Sequence, residues 1–167
     1  RRNLELEQNT RNGSRQGTLI GILDQTATAM GGRLLKQWLR YPLLAPEAIG
    51  RRLDAVEEVL LKGDLRRRLI EALSTVYDLE RLYSKIVMGR ANARDLLALG
   101  RSLAMLPAIW EALTQLNSEL FSSPLLIGDL QSLSALIERA IRDDAPPTIN
   151  EGGMIQKGYD AELDELI

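Results

Sequence analysis

Aliphatic residues fall on one helical face after another along most of this chain, and that periodicity restricts the fold more than any other feature. Ile49, Leu53, Val56, Val59 and Leu60 recur at the spacing of a single helix stripe. Pro46 suits the first position of that helix and Gly63 its end. Asp64 can cap a following helix that carries Leu65, Leu69, Ile70 and Leu73. Asp78 can cap another through Leu79, Leu82, Tyr83, Ile86 and Val87. Asn92, with Asp95 three residues on, forms a capping pair ahead of Leu96, Leu97, Leu99 and Leu103. Pro107 is read as the start of a helix through Ile109, Trp110 and Leu113, and Leu130 to Ile141 as a further amphipathic helix after a polar break, "NSELFSSP".

Upstream, "TLIGILD" gives one or two helical turns. Met30, Leu34, Leu35, Trp38 and Leu39 then form an apolar stripe, with Lys36, Gln37 and Arg40 off it. Pro42 pushes Tyr41 out of helical geometry and stops this helix. A tryptophan on such a stripe is expected in the core.

Two stretches depart from the pattern. Leu4 and Leu6 alternate in "NLELEQ", which predicts a short N-terminal strand before a loop containing Gly13 and Gly17. "DDAPPTINEGGMIQKGYD" places short apolar pairs on either side of Glu151-Gly152-Gly153, which predicts a small β-hairpin near residues 148–156. Asp160 can cap a final helix. The expected fold is mainly α: an irregular multi-helix bundle with one short strand and one hairpin. Within a single domain of 1–167, residues 1–17 lead in, 18–145 form the helical body, 146–159 the hairpin, and 160–167 the start of a longer helix. The chain opens on Arg1 rather than Met and closes two turns into that helix, as expected of a piece of a longer protein.

Composition narrows the chemistry. With 167 residues and 45% hydrophobic content, the chain can bury a core without staples, and 4% aromatics makes that core aliphatic. There is no cysteine and no histidine, which removes disulfides, thiolate metal sites, cysteine nucleophiles and Ser-His-Asp catalysis. A net charge of −2 argues against a domain that holds nucleic-acid phosphates by itself. No apolar run in the sequence approaches bilayer length, and no secretory signal is visible.

The remaining motifs read as structural. Gly153 and Gly158 have the glycine spacing of a phosphate loop, but Tyr159 and Asp160 stand where Lys and Ser/Thr are required. Asp160, Glu162, Asp164 and Glu165 fit the first turns of a helix, where acids favour the dipole. Asp143-Asp144 fits a helix end and turn. Arg66, Arg67 and Arg68 point in different directions around a helix and form a solvated face. Met30, Met88, Met105 and Met154 are scattered gap fillers. Taken alone, these residues describe a helical domain of no evident chemistry.

Three stretches add more. "RRNLELEQNTRNGSRQGTLIGILDQTATAMGGRLLKQWLRYPL" (1–43), "DLERLYSKIVMGRANARDLLALGRSL" (78–103) and "NEGGMIQKGYDAELDELI" (150–167) resemble, in order and spacing, the central core domain of MutS-type DNA mismatch-repair proteins. The match looks closest to the bacterial mismatch-binding branch. The resemblance implies a hub that links mismatch-binding and connector domains to a clamp and an ATPase. It implies no catalytic, cofactor or metal residue in this chain, with ATP and Mg²⁺ bound elsewhere in the parent. It also implies a cytoplasmic parent that binds mismatched double-stranded DNA, dimerises and works with other repair proteins, away from membranes. Met30, Gly31, Gly32, Arg33, Lys36, Trp38, Arg40 and Pro42 would then form an interdomain joint, its glycines allowing close backbone approach. Asn3, Leu4, Glu5, Gly152, Gly153, Gly158 and Tyr159 would be structural residues of the family motif. Two other readings compete: an independent helical protein-interaction module, and a helical nucleic-acid-binding domain, which lacks the basic excess and aromatic platform it needs.

Overall fold

The computed structural model describes residues 5–122 and 130–166. Helices dominate it: α1 Leu19–Leu23, α2 Ala29–Arg40, α3 Pro46–Leu61, α4 Gly63–Ser74, α5 Leu79–Val87, α6 Ala93–Leu113, α7 Leu130–Ala140 and α8 Ala161–Leu166. The chain divides into two compact units. One comprises Arg1–Ser74 with Ala112–Ser123, the other Thr75–Glu111 with Pro124–Ile167. α6 therefore begins in the second unit and ends in the first.

In the first unit the segment before α1 folds around Asn9. Its backbone N–H reaches the Ser14 carbonyl at 2.9 Å, and its side-chain oxygen accepts from the Asn12 amide at 2.9 Å. The Ile20 amide donates to the Leu6 carbonyl at 2.9 Å, so α1 holds this segment, and Ile20 and the capping Thr18 are fully buried. Pro46 opens α3 as expected. Gly63 does not close that helix: α3 ends at Leu61, Lys62 caps it, and Gly63 already starts α4, with Asp64 in its first turn. α4 buries Leu65 and Leu69, and α3 packs against α4 and against a 3-10 turn at Glu119–Phe121.

In the second unit Asp78 caps α5 by accepting from the Arg81 amide. Asn92 and Asp95 satisfy each other's amides at 2.9 and 3.1 Å, the reciprocal box expected at the start of α6. Burial alone raises the Asp95 carboxyl, but its bonds to the Lys85 ammonium and the Asn92 amide outweigh that and hold it low. The core gathers Ala93, Leu97, Ile137, Ile141 and Ala145, with Met154 packed against it. A methyl group on Gly100 would lie 3.1 Å from an Ile137 methyl, so α6 and α7 approach where there is no side chain. The buried Ser134 hydroxyl donates to the Gly100 carbonyl at 2.8 Å, locking the crossing.

Four expectations are corrected. Residues 5–17 form turns, not a strand; the remainder of the expected strand, with Leu4, lies outside the described residues. No hairpin forms at 148–156. Met154 and Ile155 pair instead with the end of α7, through an antiparallel bridge between Ile141 and Ile155 and through bonds from Arg142 N to Met154 O and Gln156 N to Ala140 O. Residues 149–151 curl into a 3-10 turn, and Pro147 has no N–H for a ladder, so the returning chain pairs with α7's end. Pro107 lies inside α6 rather than at its start. An interior proline costs about 3 kcal/mol, which is offset by the burial of Leu103, Ile109 and Ala112 on both sides of it. The continuous 21-residue α6, at hydropathy 1.4, is long and apolar enough to cross a bilayer by length and composition. Here its Ala93–Leu97–Gly100 face packs against α7.

Candidate functional site: the second helix and its neighbours

α2 starts where Thr28 accepts a hydrogen bond from the Gly31 amide at 3.0 Å. Before it, Asp24 accepts from the Thr26 hydroxyl at 2.7 Å, and that bond holds the Asp24 carboxyl below its usual range. A methyl on Gly31 would stand 3.1 Å from Thr28 Oγ1, and one on Gly32 3.3 Å from Thr26 Oγ1. The close approach these glycines permit is to the chain's own turn at 24–28.

None of the α2 residues is buried. Trp38, expected in the core, is 39% exposed. Its ring is covered by the Arg52 guanidinium of α3, 3.7 Å from the ring centroid, a cation–π contact. Leu34 and Tyr41 extend the same face and are exposed. The helix is amphipathic, as its spacing demands, but its apolar stripe is split: Met30, Leu35 and Leu39 are half-buried, while Leu34 and Trp38 turn outward. α3 repeats the arrangement: Ile49, Leu53, Val56 and Leu60 share one face, and all are exposed, Leu53 at 62%.

The charged members of the predicted joint separate. Arg40 pairs bidentately with Glu7, one contact being Nη2 to Oε2 at 2.6 Å, and this raises its basicity. Beside that pair lies a cleft of about 500 Å³ lined by Glu5, Leu6, Asn9, Thr10 and Arg40. Arg33 and Pro42 are exposed, while Met30 and Lys36 are half-buried.

Of the motif residues, Asn3 and Leu4 lie outside the described residues. Glu5 sits at φ +45, rare for a residue with a side chain, and its carboxylate accepts from both the amide and the hydroxyl of Thr10 at 2.8 and 2.6 Å. Those bonds hold the carboxyl low. Gly152 and Gly153 take successive positive φ angles of 69 and 63, a turn that a side chain would strain. The Gly158 amide donates to Asp164 at 2.7 Å, and Asp160 caps α8 by accepting from Glu162 and Leu163. The Gly158 amide and the Asp160 and Asp164 carboxylates are thus used at the start of that helix. Tyr159 is exposed. Asp143 and Asp144 pair with Arg101 and Arg142.

Two residues carry more structure than their sequence context announced. Gly100 marks the α6–α7 crossing, although a glycine within a helical run signals only reduced propensity. Glu58 accepts from Lys62 Nζ and from the Asn117 and Ser118 amides, which hold its carboxyl down to about 2. The four-residue spacing from Glu58 to Lys62 was a visible signal; the partners at 117–118 were not.

These features define a class: a helical structural domain whose distinctive surfaces are apolar helix faces. A family model described as MutS domain III matches residues 1–167, and the chain belongs to that family. It is 51% identical over 170 residues to a DNA mismatch repair protein MutS of Desulfatibacillum aliphaticivorans, covering 99% of this chain and 19% of that protein. It is 48% identical over 172 residues to the protein of the same name from Desulforapulum autotrophicum, and 45% over 167 residues to that from Alkaliphilus metalliredigens, at the same coverage. The chain thus spans about a fifth of the length of these relatives.

Proposed function

We propose that this chain is the structural core of a DNA mismatch-recognition ATPase. It joins mismatch-binding and connector domains to clamp and ATPase domains and passes conformational signals between them. The carrying observation is the family match along residues 1–167, which favours this reading over an independent interaction module. The parent binds mismatched double-stranded DNA, ATP and Mg²⁺ through parts outside this chain. It dimerises and acts with other repair proteins in the cytoplasm.

Within this reading α2 is a joint. Its outward stripe of Leu34, Trp38 and Tyr41, with the α3 stripe beside it in sequence, offers apolar surface that the chain itself leaves uncovered. Large apolar side chains left exposed on neighbouring helices favour an interface reading. The test compares the parent with the isolated chain in ATP turnover and in binding to matched and mismatched duplexes. The parent should hydrolyse ATP and prefer the mismatch; the isolated chain should do neither. Mismatch-specific, salt-sensitive binding by the chain alone would overturn the assignment.

A further inference from the structure

Beyond Leu113 the chain turns through 114–118 before the 3-10 turn at Glu119–Phe121. One carboxylate governs that turn. Glu58, in the last turn of α3, accepts from the Asn117 amide at 2.8 Å, from Asn117 Nδ2 at 3.1 Å and from the Ser118 amide at 2.9 Å. Lys62 completes the ring, donating to Glu58 at 2.8 Å and to the Gln115 carbonyl at 2.5 Å. Two successive backbone amides aimed at one carboxylate fix the orientation of a segment as well as its position, which a surface ion pair between long side chains does not. The bond to Lys62 and those to the two amides hold the Glu58 carboxyl down to about 2.

The helices it connects give the clasp its interest. α6 starts in one compact unit and ends in the other. α3 carries Glu58 near its end and, in its middle, the Arg52 that covers Trp38 of α2. We propose that Glu58 is a positioning residue that couples α6 to α3 and, through Arg52, to α2. With the clasp closed, displacement of the end of α6 is carried into α3; with it open, the turn at 114–118 absorbs the displacement. This rests on the reading of the parent as a mismatch-responsive ATPase.

The experiment uses the full-length parent. Glu58→Ala and Glu58→Gln are compared with wild type in basal ATP turnover, in the change a mismatched duplex produces, and in hydrogen exchange of the Asn117 and Ser118 amides. Lys85→Met, which breaks the Lys85–Asp95 pair in the other unit, controls for lost stability. The expected result is exchange at 117–118 faster by tenfold or more in Glu58→Ala, on the order of one lost hydrogen bond. Basal turnover should stay within about twofold, with the mismatch effect reduced at least fivefold, the low end of typical coupling between sites. Glu58→Gln should fall between, and Lys85→Met should keep the mismatch effect. The proposal is overturned if the clasp opens and the mismatch effect persists, or if Lys85→Met abolishes it equally. A Glu58→Ala protein that does not fold shifts the decision to Glu58→Gln, judged by the same criteria. A folded wild type whose ATP turnover ignores mismatches overturns the reading of the parent, and the proposal with it.

Discussion

α3 and α7 carry the same kind of sequence and use it differently. Both are amphipathic, with aliphatic residues at helical spacing. On α7, Ile137 is 8% exposed and lies against the Gly100 backbone of α6, with Ser134 bonded to the Gly100 carbonyl, while Leu133 and Leu136 on its other side stay exposed. On α3, the stripe from Ile49 to Leu60 faces outward, as does the Trp38 face of α2. Periodicity therefore defines which residues share a face and leaves open what covers it. A buried residue such as Ile137 finds its partner in the chain; among the described residues, none covers the exposed aliphatic side chains of α2 and α3.

Substitutions should separate the two regions. Ile137→Ala should cost about 2–5 kcal/mol in unfolding free energy, because it empties space between α6 and α7; a loss below that range in urea titration would mean the crossing is loose. Gly100→Val should cost about 1–3 kcal/mol by overpacking against Ile137, read as an equivalent fall in the denaturation midpoint. Trp38→Ala should cost only about 0.5–1 kcal/mol in the isolated chain, the worth of an exposed cation–π contact. A larger loss there would return Trp38 to a core role.

The smallest expected effect comes from acid. Glu58 has a folded-state pKa of about 2, below its unfolded value, so the stability it contributes is present above the ordinary glutamate range. That contribution declines as pH falls toward about 2. Thermal melts of wild type and Glu58→Gln should therefore differ at pH 7 and converge near pH 2. A constant difference across that range would show that the carboxylate is not charged in the clasp.

What could be read from the sequence was local. Asp78, Asn92 with Asp95, Asp160 and Pro46 all act at helix starts as expected, because a cap satisfies amides within three residues of itself. Met154 and Ile155 were read as one arm of a hairpin with Thr148 and Ile149; Ile155 bridges instead to Ile141, which no nearby sequence signal picks out. Pro107 misled because its preference for a first turn is weaker than the burial on either side of it. In the candidate site, the helical spacing of α2 and its stop before Pro42 were legible; its cap at Thr28 was not read. The Arg40–Glu7 pair, the Arg52–Trp38 contact and the Glu58 clasp join residues distant in sequence, where no spacing rule operates.

On the proposed reading, the exposed faces of α2 and α3 are interfaces within a longer parent protein. Hydroxyl-radical footprinting read by mass spectrometry tests it most directly, on residues 1–167 alone and on the full-length parent. Leu34, Trp38, Leu53 and Leu60 should be oxidised readily in the isolated chain and protected severalfold in the parent, while the buried Ile137 stays protected in both. Equal oxidation of those four residues in the two proteins would show that these faces stay uncovered in the parent.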